Sequence, residues 1–166
     1  AGCYKESLYA WFESKEHLLA TLIRDQAAAT TSAVEAALER SRRGDAEADL
    51  ESTRKFLAQM GFGLLSLLTS PTSLALNRAA MTSPGLAQTL LAHGRYTTGP
   101  LVEDYFRQLD QAGLVSIEDA GEAFTVFYGF VIRAFQIRAL LGEAPLDEAE
   151  RRQAGEVAAD SFLTLY

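Results

Sequence analysis

All four prolines, Pro71, Pro84, Pro100 and Pro145, stand where a helix could begin. Proline is tolerated at the first helical position, because its missing N–H would have no partner there anyway. Between the prolines the apolar residues recur at helical spacing, and no run alternates as a strand would. The pattern predicts an all-α chain of six or seven helices. A long helix is expected from Ser14 to about Arg43, with Leu18, Leu19, Leu22 and Ile23 packing back on the segment before it. A charged loop follows over Ser41–Ala48. A strongly apolar helix over about Asp49–Thr69 carries Phe56, Leu57, Met60, Leu64, Leu67 and Leu68. Ser70-Pro71 and Ser83-Pro84 pair an N-cap with proline and frame two short helices. Gly99-Pro100 is expected to break or kink the chain before a helix bearing Leu101, Tyr105, Phe106 and Leu109, which Gly113 ends. Ser116-Ile117-Glu118-Asp119 resembles a capping box opening a helix to Leu141, with Gly142 as its cap. Pro145-Leu146-Asp147 leads into a last helix ending near Tyr166.

The helix near 118–141 is apolar on nearly all sides. Phe124, Phe127, Tyr128, Val131 and Phe135 form one stripe, and Val126, Phe130, Ile137, Leu140 and Leu141 fall on other faces. Such a helix must be covered all round. The last helix, near 147–166, adds Ala154, Gly155, Ala158 and Ala159, small residues that let a neighbouring helix approach closely. The two helices are read as half of a four-helix interface in a homodimer, with a central helix of a monomeric bundle as the alternative.

The first nineteen residues constrain function. Gly2 suits a tight turn. From Tyr4 to Phe12 a short helix would place Leu8 and Phe12 on one inward face and leave Tyr4, Lys5, Ser7 and Trp11 largely outside it. Ser14 would cap the next helix, whose first turn holds Lys15 beside free N–H groups suited to a phosphate. The order of Lys5, Leu8-Tyr9, Phe12, Ser14-Lys15-Glu16 and Leu18-Leu19 resembles the recognition helix and following helix start of the TetR family of bacterial transcriptional regulators.

The resemblance implies roles. Tyr4, Lys5, Glu6 and Ser7 match positions at the exposed start of the recognition helix. Tyr9 and Lys15 match phosphate contacts, and Trp11 matches a position touching the DNA backbone. The chain departs from the family where Tyr4 replaces the usual Ser, Cys3 the usual Val, and Glu6 a small residue. A glutamate there could accept a hydrogen bond from cytosine N4. The resemblance further implies a chain that begins within its helix-turn-helix domain (residues 1–26), followed by a helical ligand-binding and dimerisation domain (27–166). The expected function is that of a ligand-responsive repressor, a dimer on operator DNA that a small hydrophobic inducer releases. An all-helical ligand-binding or protein-interaction module without DNA binding is the alternative.

Charge runs against DNA binding by this stretch alone. Lys5, Lys15 and Arg24 are outnumbered by Glu6, Glu13, Glu16 and Asp25, and the whole chain carries −7. The helices expected before Ala1 would have to supply basic residues. A single cysteine allows no internal disulfide and suits the cytoplasm. No apolar run reads as a signal peptide or membrane span. Two histidines, one cysteine and the absence of a Gly-rich phosphate loop or nucleophile motif point to no metal, no cofactor and no enzyme.

A ligand pocket is expected among the three most apolar helices, lined by Phe56, Met60, Leu64, Tyr105, Phe124, Phe127, Tyr128 and Val131, with Gln59 as a polar neighbour. The resemblance puts the family's inducer pocket among the corresponding helices. Asn77, Arg78, His93, Tyr96, Arg133 and Gln136 are further polar candidates. Arg133 is read as a cross-interface partner and His93-Gly94-Arg95 as a solvated helix end. Each aromatic position also fits a filled core.

Overall fold

The computed structural model describes residues 15–43 and 49–166, apart from the side chains of residues 15 and 40–43. These residues form eight helices: α1 Lys15–Arg43, α2 Leu50–Leu68, α3 Pro71–Ala80, α4 Pro84–His93, α5 Arg95–Gln111, α6 Ala120–Ile132, α7 Phe135–Leu140 and α8 Glu148–Leu165. The protein is all-α, with no strand among the described residues.

Most helix starts follow from local chemistry. Asp49, Ser70 and Ser83 each accept a hydrogen bond from the main-chain N–H three residues on, and proline follows both serines. At α8, Asp147 and Glu150 cap each other's main-chain N–H reciprocally. At α6 the cap is Asp119 rather than Ser116; its carboxylate accepts from the Gly121 and Glu122 N–H groups. Gly113, with φ at +71°, follows the end of α5 as expected.

Two helices differ from the sequence expectation. Gly99-Pro100 neither breaks the chain nor precedes a helix, because α5 begins at Arg95 and runs through Pro100. The proline ring faces solvent, and its cost is one intrahelical bond near the helix start. The expected single helix to Leu141 is instead two. Arg133 takes φ 43° and ψ −128°, ending α6, and α7 starts two residues later. A non-glycine residue there costs about 1–3 kcal/mol. Contacts of α7 offset it: Arg78 on α3 donates to the Ala139 and Leu140 carbonyls at 2.8 and 3.0 Å, and Ala139 is buried. The Leu140 carbonyl is among the groups a helix end leaves open, while that of Ala139 also accepts from the Gly142 N–H at 3.1 Å.

The main core lies between α2, α5, α6 and α8. Phe106 stacks on Phe162 with ring centres 4.6 Å apart, and Phe127 meets both rings edge-on at 6.0 and 5.5 Å. All three side chains are essentially fully buried. The small residues of α8 serve this core, not a second molecule. A Cβ on Gly155 would lie 2.5 Å from the Ala58 carbonyl oxygen and 2.8 Å from the Phe62 nitrogen, while one on Gly61 would meet the Gly155 backbone at 3.1 Å. Thus α2 and α8 cross almost backbone to backbone. Ala158 and Ala159 are wholly buried within the chain, and Ala154 nearly so. Small residues imply that some helix approaches closely; the helix is the chain's own α2.

A second, smaller cluster joins Ile23 of α1 to Leu76 and Ala80 of α3 and Leu86 of α4. Ile23 belongs to this cluster; the segment before α1, on which it is also expected to pack, lies outside the described residues. Leu22 beside it is 43% exposed. Further along α1, Leu38 enters the main core. One continuous helix therefore touches both clusters.

Candidate functional site

The expected pocket residues converge. Phe56, Met60 and Leu64 of α2, Tyr105 of α5, and Phe124, Phe127, Tyr128 and Val131 of α6 belong to one apolar cluster. Their environments differ. Phe127 and Val131 are sealed in the core, whereas Phe56, Met60, Leu64 and Tyr128 are only partly buried. Gln59, between Phe56 and Met60, is exposed and stands outside the cluster. The aromatic residues form two neighbouring pairs, Phe56–Tyr105 at 4.8 Å and Phe124–Tyr128 at 6.0 Å.

The polar candidates do not converge here. Asn77 bonds back to the Ser73 carbonyl, Arg78 holds the end of α7, and Arg133 bonds to the Phe130 carbonyl. His93 and Tyr96 are exposed. The polar group at the cluster is Arg95, which sequence reading assigns to a solvated helix end. Its guanidinium lies 4.6 Å from the centre of the Tyr128 ring and 5.4 Å from that of Phe124. It also donates to the Thr125 hydroxyl at 3.3 Å. The signal is present in the sequence. Arg95, Gly99, Val102, Phe106 and Leu109 recur at alternating steps of four and three, one face of a helix. The last four are buried, so Arg95 heads a buried stripe. Gly99 admits the Phe124 ring; a Cβ there would meet it at 3.2 Å. Burial pushes the Tyr128 phenol above its ordinary pKa, while the charge of Arg95 pulls it down.

The expected DNA contacts Tyr4, Lys5, Glu6, Ser7, Tyr9 and Trp11 lie outside the described residues, as does the Lys15 side chain. The helix that follows them is described, and its start is held by α4. The Ser83 hydroxyl donates to the Glu16 carboxylate at 2.5 Å while also capping α4. Two turns further along α1, Ile23 packs in the small cluster with Leu86.

The sequence profile of AefR-like transcriptional repressor C-terminal domains matches residues 55–166. The chain belongs to the TetR family of transcriptional regulators. Solved structures agree with that assignment. A TetR transcriptional regulator from Agrobacterium tumefaciens is 30% identical, with a TM-score of 0.70 over 98% of this chain and 77% of its own. A protein assigned to the same family from Mesorhizobium loti has a TM-score of 0.81 at 18% identity, covering 98% and 80%. The flavonoid-responsive regulator FrrA has a TM-score of 0.64 at 24% identity, covering 97% and 79%. Among curated proteins none matches.

TetR-family regulators bind operator DNA, dimerise and bind small molecules. Two further features of this member bear on those properties. An open groove of about 540 Å³ runs between α6 and α8, lined by Phe130, Val157, Asp160, Ser161, Thr164 and Leu165. Leu165 is 58% exposed on this face. No helix among the described residues is long and apolar enough to cross a membrane.

Proposed function

We propose that this regulator is a repressor that binds operator DNA as a dimer and leaves it when a small, mainly apolar ligand enters between α2, α5 and α6. One observation carries the reading: the aromatic cluster and the helix leading from the DNA-binding segment are joined through one ten-residue helix, α4. At its end Gly94 passes directly into Arg95 of α5, beside Phe124 and Tyr128. At its start Ser83 and Leu86 hold Glu16 and Ile23 of α1.

The ligand site is proposed at the partly buried side of the cluster, with Phe56, Met60, Leu64, Tyr105, Phe124 and Tyr128 around it and Phe127 and Val131 beneath. Exposed Gln59 lies at its edge. A ligand there must part Phe56–Tyr105 or Phe124–Tyr128, and so displace the start of α5. The displacement passes to α4 and tilts α1. A ligand shifts such an equilibrium only by its differential affinity for the two conformers; full reversal takes about 5.5 kcal/mol. The aromatic lining favours planar, apolar molecules, and the flavonoid-responsive neighbour makes flavonoids the first class to screen.

Residues 1–26 form the DNA-contacting unit in this reading, and 27–166 the ligand-binding and dimerising unit. Tyr4, Lys5, Glu6 and Ser7 read the operator, while Tyr9, Trp11 and Lys15 hold its backbone. The groove between α6 and α8 seats the second copy, whose twofold symmetry matches a palindromic operator. The test is a gel-shift titration of the full-length protein on its own promoter, with and without flavonoids and other aryl compounds. Release by a compound is expected, and Leu64→Trp should abolish it while DNA binding persists. Failure to bind the promoter overturns the repressor reading. Binding that no hydrophobic compound relieves, with Leu64→Trp strongly lowering the melting temperature, overturns the pocket and leaves a packed core.

A further inference from the structure

Seven of the eight arginines from Arg54 onward fall into two groups. Arg54, Arg107, Arg138 and Arg152 pair with carboxylates. Arg78, Arg133 and Arg151 donate to main-chain carbonyls. Arg95 does neither among the described residues. One N–H reaches the Thr125 hydroxyl at the long distance of 3.3 Å, another hydrogen-bonds to the Tyr128 phenol, and the guanidinium carbon lies 5.4 and 4.6 Å from the Phe124 and Tyr128 ring centres.

A guanidinium has five N–H donors in a plane and no acceptor. Thr125 and Tyr128 engage part of that fork, and further N–H donors meet no carboxylate or main-chain carbonyl among the described residues. The two rings hold the group in one place, so little freedom is lost when an acceptor arrives. Opposite charge would be favoured from a second direction as well. Arg95 is the first residue of the seventeen-residue α5, and no side chain caps that helix start.

We infer that the ligand of the aromatic site carries an ionised acidic group, a carboxylate or an acidic phenolate, and that Arg95 binds it. The inference rests on the ligand site proposed above and adds a class: an aryl or acyl acid rather than a neutral hydrocarbon. The apolar body lies among Phe56, Tyr105, Phe124 and Tyr128. The anion lies at the cluster's edge, where the fork of Arg95 takes two oxygens and the Thr125 hydroxyl is close by. Charge-assisted hydrogen bonds of this kind outweigh neutral ones.

Matched probes test this. Calorimetric titration of the full-length protein compares hydrocinnamate with hydrocinnamamide and decanoate with decanamide, pairs alike in shape and different in charge. The acids should bind roughly tenfold or more tighter. Arg95→Met, whose side chain still covers the two rings, should bring each pair to near-equal affinity; Arg95→Lys should retain part of the preference. Equal affinities in the unmodified protein overturn the inference and leave the aromatic site standing, as does an acid preference that survives Arg95→Met. If neither member of either pair binds, the aromatic site itself falls, and the inference with it. The comparison within the unmodified protein decides the matter even if Arg95→Met does not fold.

Discussion

The aromatic core and the small cluster under α1 are built on different scales. Around the core, Phe106, Phe127 and Phe162 interlock, and two glycines let α2 and α8 meet at backbone distance. Under α1, the buried set is Ile23, Leu76, Ala80 and Leu86, aliphatic and few, beside one exposed contact from Ser83 to Glu16. Interlocked rings have few alternative arrangements, because dense packing resists small displacements. A thin aliphatic contact can slide, and regions with few buried contacts open at lower free energy. The difference suits the proposed mechanism, in which one part keeps its shape and the part joining it to the proposed DNA-contacting segment changes position.

The sharpest attempt to break this contrast is Gly155→Val. Two methyl groups forced against the α2 backbone should destabilise the fold by about 3 kcal/mol or more, beyond ordinary overpacking. Thermal melting measures it, and a near-normal melting temperature would show that α2 and α8 are not in such contact. Phe162→Ala should cost about 3–5 kcal/mol by emptying the centre of the ring cluster. Ala158→Arg would split a dimer if the small residues of α8 faced a second copy. It should instead unfold the chain, because Ala158 is 0% exposed inside it.

Leu86→Ala probes the other region. A loss near the low end for a buried leucine, about 2 kcal/mol, is expected. Amide exchange should accelerate in the first half of α1 and not around Phe106. Uniform acceleration would mean that the two clusters open as one unit. Ser83→Ala removes both the α4 cap and the Glu16 contact and should cost about 1 kcal/mol. Ligand affinity should hold while the ligand's effect on DNA binding weakens. If both changed together, α4 would belong to the binding site rather than to the link.

The smallest effect concerns pH. Arg54 donates two hydrogen bonds to Asp160, tying α2 to α8, and holds that carboxyl below its ordinary value of 3.8. A carboxyl lowered on folding contributes stability above its unfolded pKa and loses it as pH falls through the folded value. The unmodified protein should therefore lose stability more steeply than Arg54→Ala on the acid side, below about pH 4. Arg54 is partly and Asp160 largely open to solvent, so the difference should shrink in high salt. Parallel acid titrations of the two would dismiss this link between α2 and α8.

Much of the candidate site is legible in the amino-acid sequence. Phe56, Met60, Tyr105, Phe124 and Tyr128 belong to three separate helices and do join one apolar cluster. Gln59 sits between two of them in sequence, yet it is exposed, one position away from the buried face of α2. Arg95 escapes sequence reading because Gly94 and Pro100 suggest a broken chain. Once α5 is seen to run through Pro100, the stripe from Arg95 to Leu109 is plain.

Sequence by itself determined the helical class, the caps at Ser70 and Ser83, and the turn at Gly113. Each rests on hydrogen bonds or backbone angles that close within a few residues, so spacing along the chain suffices. Only the tertiary structure decided which helix meets Gly155, why α6 ends at Arg133, and which rings lie under Arg95. Those outcomes depend on partners dozens of residues away. Apolar spacing shows that a face must be covered, but hydrophobic attraction has no direction and does not name the cover.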